Sequence, residues 1–166
     1  MTPDHDAQAA PVIWVLGYGN AGRGDDGLGP ALVQALRACD LSGVTLDEAF
    51  QLMVEHAERL AEVDVAVLVD AALTGPAPFS FRAVTAGGGT AARYSTHVVT
   101  PEDLVALANT LYGRCARTFL LGIRGEQVDD YQEGFSPAGA AHLRAAIDFL
   151  ADRLPRGLVA LDVAIP

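Results

Sequence analysis

The stretch VIWVLGYGNAGRGDDGLGPALVQALRAC, residues 12–39, contains the pattern that decides the fold. An apolar run of strand length at 12–17 leads into a glycine-rich segment, and a helix-like stretch follows. Proline is favoured at the first position of a helix, so we predict that this helix begins near Gly29 or Pro30 and continues toward Gly43. The sequence here predicts a strand, a long loop and a helix.

The same alternation continues along the chain. Further strand-length runs occupy 43–48, 65–72, 79–84 and 117–123, and helix-like stretches occupy 52–62, 101–113 and 137–155. Thr100 and Ser136 each precede a proline and are predicted to cap the last two helices. Alternating strands and helices predict an α/β fold with three layers, in which a twisted, mainly parallel five-stranded sheet has helices on both faces.

Composition limits the class of protein. A chain of 166 residues with 51% hydrophobic residues can bury one full core, so we expect a single domain over 1–166 with a disordered tail at 1–10. The two cysteines, Cys39 and Cys115, do not support a disulfide framework or a zinc ribbon. We expect both to be buried as small apolar residues.

The charge balance excludes several partners. A formal net charge of -10 argues against a nucleic-acid or anionic-membrane surface. The acidic start lacks the features of a signal peptide, and no apolar run approaches the length of a membrane span. We therefore expect a cytoplasmic protein, a monomer, that binds neither nucleic acid nor membrane and whose partner is a protein or a cation.

The glycines of GYGNAG, residues 17–22, match the G-x-G-x-x-G spacing of a dinucleotide-binding turn, and Asp47 and Glu48 lie where a ribose-binding acid is expected. Such a turn needs its helix to begin inside the motif. Here the motif continues as RGDDGLGP, whose glycines disfavour a helix and whose two aspartates would repel a pyrophosphate. We therefore predict a long loop and no NAD or FAD site.

Three chemistry-bearing residues are expected at the carboxyl ends of the strands, where open α/β sheets bind their ligands. Asp26 lies in the loop after the first strand, Asp70 ends the run VAVLV of the third strand, and His97 lies in the loop before the helix at 101–113. Two carboxylates and an imidazole suit nickel, zinc, manganese or iron. A cap or turn role for Asp26 is the structural alternative, whereas a carboxylate directly after a buried strand needs a cation or several donors.

Other catalytic patterns are missing from the sequence. It contains no G-x-S-x-G elbow, no H-E-x-x-H motif and no Walker lysine after the glycines. His56 and His142 lie on predicted helices, where we expect solvated or packed side chains.

The residues resemble the hydrogenase maturation proteases, the endopeptidases that trim the C-terminal extension of the large subunit of nickel-iron hydrogenases. The resemblance covers nearly the whole chain and rests on these motifs: LGYGNAGRGDDGLGP at 16–30, VLVDAAL at 67–73, STHVVTPEDLVALA at 95–108, LGIRGE at 121–126 and FSPAGAAHL at 135–143. The stretch AFQLMVEHAERLAEVD at 49–64 looks most like members that serve NAD-reducing, bidirectional hydrogenases.

The resemblance implies a role for each candidate residue. The family's metal-contacting and catalytic positions fall on Asp26, Asp70 and His97, and the implied metal is nickel, which the hydrogenase precursor carries as substrate. Relatives often have glutamate in place of Asp26, and commonly have glutamine and proline where Arg124 and Gly125 stand, so no role is transferred to that loop.

The sequence therefore predicts an endopeptidase that acts on a hydrogenase large-subunit precursor after nickel insertion. For the catalytic base, Asp25 and Asp70 are both candidates. The alternative is a maturation chaperone without catalysis, which would sense the metal or the precursor on the same fold.

Overall fold

A computed structural model describes residues 10–87, 98–128, 131 and 133–157 of the chain. The predicted tail at 1–10 lies almost wholly outside these residues. The strands are β1 (Ile13–Tyr18), β2 (Val44–Ala49), β3 (Val65–Ala72), β4 (Phe79–Val84) and β5 (Arg117–Arg124). The helices are α1 (Leu28–Leu36), α2 (His56–Glu62), α3 (Pro101–Tyr112) and α4 (Pro137–Arg153), and short 3-10 turns cover Gly24–Gly27 and Leu154–Arg156.

The five strands form one sheet in the order β2-β1-β3-β5-β4. β1 pairs with β2 and β3, and β3 pairs with β5, all in parallel, while β4 runs antiparallel to β5. The predicted α/β class and mainly parallel sheet are confirmed. The chain moves from β1 to β2 on one side and then to β3 on the other side, so strand order switches between β1 and β3.

Two apolar clusters, one on each face of the sheet, hold the three layers together. One cluster joins Val15 and Val67 to α1 and α4 through side chains such as Leu32 and Leu150, which are fully buried. The other joins Trp14 and Leu68 to α2 and α3, and includes Leu60 and Leu104. Alternate strand residues therefore face opposite helix pairs, as expected for a parallel sheet that is covered on both sides.

Helix boundaries follow local hydrogen bonds. Thr100 and Ser136 cap α3 and α4 as predicted, and Thr100 forms a complete capping box with Asp103. The predicted helix at 52–62 begins only at His56, because the backbone N–H of Met53 donates to Nδ1 of His56 and turn bonds precede the helix. The sequence places Met53 on one helix face with Ala57, Leu60 and Ala61, but Met53 precedes the observed helix and is 46% exposed.

Two other expectations need correction. The first helix ends at Leu36 rather than near Gly43, since Ala38 and Cys39 make turn-type bonds to the carbonyls of Ala35 and Leu36. Cys39 and Cys115 are half-buried rather than fully buried. Among the described residues, no helix has both the length and the apolarity to cross a bilayer.

Candidate functional site

The close approach of α1 to the strand ends positions the loop after β1. A Cβ atom on Gly29 would lie 2.5 Å from the carbonyl oxygen of Val69 and 2.6 Å from that of Tyr18. Only glycine allows the first turn of α1 to lie directly over the ends of β1 and β3. The 3-10 turn at Gly24–Gly27 is thereby held against the point where strand order switches.

Asp26 lies in this turn and is partly buried. Its Oδ2 accepts a hydrogen bond from the backbone N–H of Asn20 at 3.0 Å, which fixes the carboxylate on the Gly19 side of the loop. Gly19 has φ +138, and a Cβ there would lie 2.0 Å from the carbonyl oxygen of Asp26, so this position also requires glycine. The turn alternative for Asp26 is thus partly correct, but its side chain also lines a cleft.

Asp70 follows five buried residues of β3, as predicted, and its side chain is partly buried. Oδ1 accepts a 2.8 Å hydrogen bond from the backbone N–H of Ala71. The pKa of Asp70 is raised to about 6, mainly by burial; hydrogen bonding to Ala71 and Tyr18 lowers it in part, and the nearby charge of Asp26 adds to the rise. A partly buried carboxylate next to a second one is an environment that a cation would relieve.

Asp26 and Asp70 line one cleft of about 180 Å³ at the switch point. The other lining residues are Tyr18, Gly19, Phe50, Gln51, Leu52, Val98 and Val99, so the described lining contains no lysine, arginine or histidine. His97, the third predicted member, lies outside the described residues. Among those that are described, no group of three or more His, Cys, Asp or Glu side chains is placed to hold a metal ion.

Asp25 has a very different environment from its neighbour. It is fully buried, and its carboxylate accepts hydrogen bonds from the backbone N–H groups of Glu126, Gln127 and Ser136 and from the Ser136 hydroxyl. Burial alone would raise the pKa of Asp25, but these donors together hold it below its ordinary value. The candidate role of Asp25 as a catalytic base is therefore wrong, because the carboxylate joins the β1 loop to the start of α4 and has no access to the cleft.

The dinucleotide alternative also fails on geometry. α1 begins at Leu28, well past GYGNAG, and Gly22 is exposed rather than packed between helix and strand. Asp47 accepts a 2.8 Å hydrogen bond from Nε1 of Trp14, and Glu48 binds the side chains of Gln34 and Arg37. The acids that suggested ribose binding thus have partners within the chain.

Phe50 and Val98 are exposed apolar side chains that line the cleft, and Met53 and Val54 follow Phe50 in the chain. Phe50 is 68% exposed, Met53 46% and Val54 50%, and Val98, 72% exposed, lies at the cleft with Phe50. We call these four residues the apolar rim. Phe50 also lines a wider neighbouring cleft of about 410 Å³ beside Gly19 and Pro30. Sequence reasoning missed the rim because it placed Met53 on the buried face of a helix.

No protein-family model and no curated protein matches this chain. Solved structures do match. The [NiFe] hydrogenase maturation protease HycI from Thermococcus kodakarensis KOD1 has a TM-score of 0.68 at 18% identity, over 90% of this chain and 96% of that one.

Two other solved structures of maturation proteases also match. The hydrogenase 2 maturation peptidase from a Thaumarchaeota archaeon has a TM-score of 0.62 at 23% identity, over 86% of this chain and 97% of that one. The hydrogenase maturating endopeptidase HybD from E. coli has a TM-score of 0.55 at 20% identity, over 82% and 87%. Over nearly its whole length, this chain therefore has the fold of the hydrogenase maturation proteases.

Proposed function

We propose that this chain is a hydrogenase maturation protease, an endopeptidase that removes the C-terminal extension of a nickel-iron hydrogenase large-subunit precursor after nickel insertion. The observation that carries the proposal is the pair of carboxylates, Asp26 and Asp70, in one cleft at the switch point of this fold. The fold it shares with known maturation proteases supports the same conclusion. Service to an NAD-reducing hydrogenase stays a prediction.

The electrostatics of the cleft favour a cationic group on the substrate. Burial and the charge of Asp26 both oppose ionisation of Asp70, and the described lining supplies no positive side chain. Nickel in the precursor would offset both effects, with Asp26, Asp70 and His97 as its contacts from this chain. The metal thus acts as the recognition element, and an empty precursor would lack the charge that the cleft requires.

Hydrolysis of the scissile peptide requires water to add to the carbonyl carbon and a proton to reach the leaving amine nitrogen. Asp70 is the remaining candidate base, because its carboxylate lines the cleft in which the scissile peptide would lie. Asp25 is excluded from this step by its burial and its four donors. Nickel bound in the precursor would supply Lewis-acid polarisation at the same place.

The test uses purified precursor with and without nickel, and mass spectrometry of the large subunit. The wild-type protein should shorten only the nickel-loaded precursor. Asp26→Asn and Asp70→Asn keep the shape of the side chain but remove its charge and one acceptor oxygen, and each should slow cleavage by at least about 100-fold, the usual contribution of a positioned proton-transfer group. Asp40→Asn, a change at an exposed position, is the control.

The outcomes separate the alternatives. A precursor that keeps its full mass while its folding or metal content changes would identify a non-catalytic chaperone. Cleavage at the wild-type rate by Asp70→Asn would refute the site assignment.

A further inference from the structure

Tyr18, at the carboxyl end of β1, lies beside Asp70 in the cleft. Gly17 is paired with Val69 in the parallel β1–β3 register, so Tyr18 and Asp70 follow as the next neighbours on adjacent strands. Tyr18 packs in the same cluster as Leu16 and Leu68, which places its ring on the α2–α3 face. Its side chain is only 9% exposed, yet it lines the cleft together with both aspartates.

The hydroxyl of Tyr18 lies near the carboxylate of Asp70, and each group influences the pKa of the other. A phenol is protonated at neutral pH, and a buried tyrosine ring with its hydroxyl on a polar partner is a stable arrangement. Asp70 accepts from the Ala71 N–H, which binds Oδ1 at 2.8 Å, and the Tyr18 hydroxyl beside it is a second group that can donate. Two donors from different strands limit rotation of the carboxylate.

We propose that Tyr18 is a positioning residue, whose hydroxyl fixes the orientation in which Asp70 meets the metal of the precursor. This inference rests on the proposed function. Hydrogen bonds from groups behind a metal-binding carboxylate orient it, and their removal typically costs 10–100-fold in metal affinity or activity. Without the hydroxyl, Asp70 keeps the Ala71 bond but can turn about its side-chain torsion, so fewer of its conformers face the cleft.

The experiment compares Tyr18→Phe with wild type for binding of nickel-loaded and nickel-free precursor. Surface plasmon resonance with immobilised protease, read in the association phase before turnover, gives both affinities. Tyr18→Phe should bind the nickel-loaded precursor about 10–100-fold more weakly and the nickel-free precursor as wild type does. Tyr112→Phe, which removes a hydroxyl at a 46% exposed position on α3, is the matched control.

Either of two results would overturn the inference. One is a Tyr18→Phe variant whose affinity for nickel-loaded precursor stays within about threefold of wild type, well below the expected loss. The other is a variant that loses affinity equally for the nickel-loaded and the nickel-free precursor. Asp70→Asn, measured in parallel, separates this failure from failure of the proposed function. If Asp70→Asn loses the preference for nickel-loaded precursor and Tyr18→Phe keeps it, only the role of Tyr18 is wrong. If Asp70→Asn keeps the preference, the metal contact itself is wrong and the inference fails with it.

Discussion

Asp25 and Asp26 are adjacent in sequence but have opposite surroundings, because the 3-10 turn directs one carboxylate into the core and the other toward the cleft. The sequence identified the pair as informative from its position after the first strand. It could not assign the two roles, since the donors that bind Asp25 come from Glu126, Gln127 and Ser136, more than 100 residues along the chain. No local pattern reports such contacts.

We expect Asp25→Asn to lower the free energy of unfolding by about 2–4 kcal/mol at pH 7, because an amide cannot accept bonds from all four donors and hydrogen bonds to a charge are strong. The depressed pKa of Asp25 means that its contribution is present above its ordinary value of 3.8 and is lost as pH falls through the folded-state pKa. Urea denaturation at pH 7 and under acid conditions measures both effects.

Wild type should therefore lose more stability on acidification than Asp25→Asn does. The exposed Asp40→Asn is the control and should stay within about 0.5 kcal/mol of wild type. An Asp25→Asn variant as stable as this control would mean that the four bonds contribute little.

Asp70→Asn should change stability in the opposite direction. The pKa of Asp70 rises from 3.8 to about 6 on folding, so the folded state holds the proton more tightly, and stability falls as pH rises through that interval. A shift of about two units corresponds to at most about 3 kcal/mol, less what solvent screens at this partly exposed group. The neutral variant should be about 1–2 kcal/mol more stable than wild type at pH 8, and equally stable near pH 4.

Thermal and urea unfolding at the two pH values test this prediction, again with Asp40→Asn beside it. A variant less stable than wild type at pH 8 would contradict it. A carboxylate that lowers stability is the kind of group that persists for its chemistry, which agrees with the proposed role of Asp70.

At the scale of elements, apolar periodicity predicted the strands well. The bounds of β3 and β4 agree with those predicted at 65–72 and 79–84. The apolar runs of the central strands β1 and β3 are continuous because parallel pairing buries both of their faces, so each is visible without knowledge of its neighbours. Helix starts such as His56 were less predictable, since a side-chain acceptor three residues away decides them. Tyr18 was missed because its role depends on the β1–β3 register.

The contact between α1 and the strand ends leads to a prediction for Gly29→Ala. Alanine favours helices over glycine by about 1 kcal/mol, but the new Cβ would meet two backbone carbonyl oxygens at 2.5 and 2.6 Å, which cannot rotate away. We expect a net loss of about 2–3 kcal/mol in the free energy of unfolding, together with slower cleavage as the Asp26 turn shifts.

Gly22→Ala, in the loop that precedes α1, is the control, because its Cβ would meet only the Asn20 side chain at 3.3 Å. Equilibrium urea unfolding of both variants measures the difference. If Gly29→Ala unfolds at the same urea concentration as Gly22→Ala, helix and strands do not approach as closely as described.

At the scale of the whole molecule, the acidic surface and the apolar rim together indicate how a protein substrate would dock. The net charge of -10 disfavours non-specific contact with acidic partners, and the two cleft carboxylates favour a cationic group on the substrate. Two rim residues, Phe50 and Val98, line this opening, and the rim side chains are half or more exposed, apart from Met53 at 46%. An apolar border around a charged centre suits a polypeptide that carries the metal.

Phe50 should therefore contribute to precursor binding rather than to stability. Burial of an exposed phenylalanine contributes about 1.5–3 kcal/mol, and Phe50 is 68% exposed, so Phe50→Ser should raise the KM for nickel-loaded precursor by about 5- to 30-fold with little change in kcat. The temperature of unfolding should stay close to that of wild type.

Leu111→Ser is the control, because Leu111 is 61% exposed but lies near the end of α3 that is remote from the cleft. An equal rise in KM for both variants would show that the precursor does not dock on the apolar rim in particular. A fall in kcat with unchanged KM for Phe50→Ser would assign Phe50 to the catalytic step instead of the docking surface.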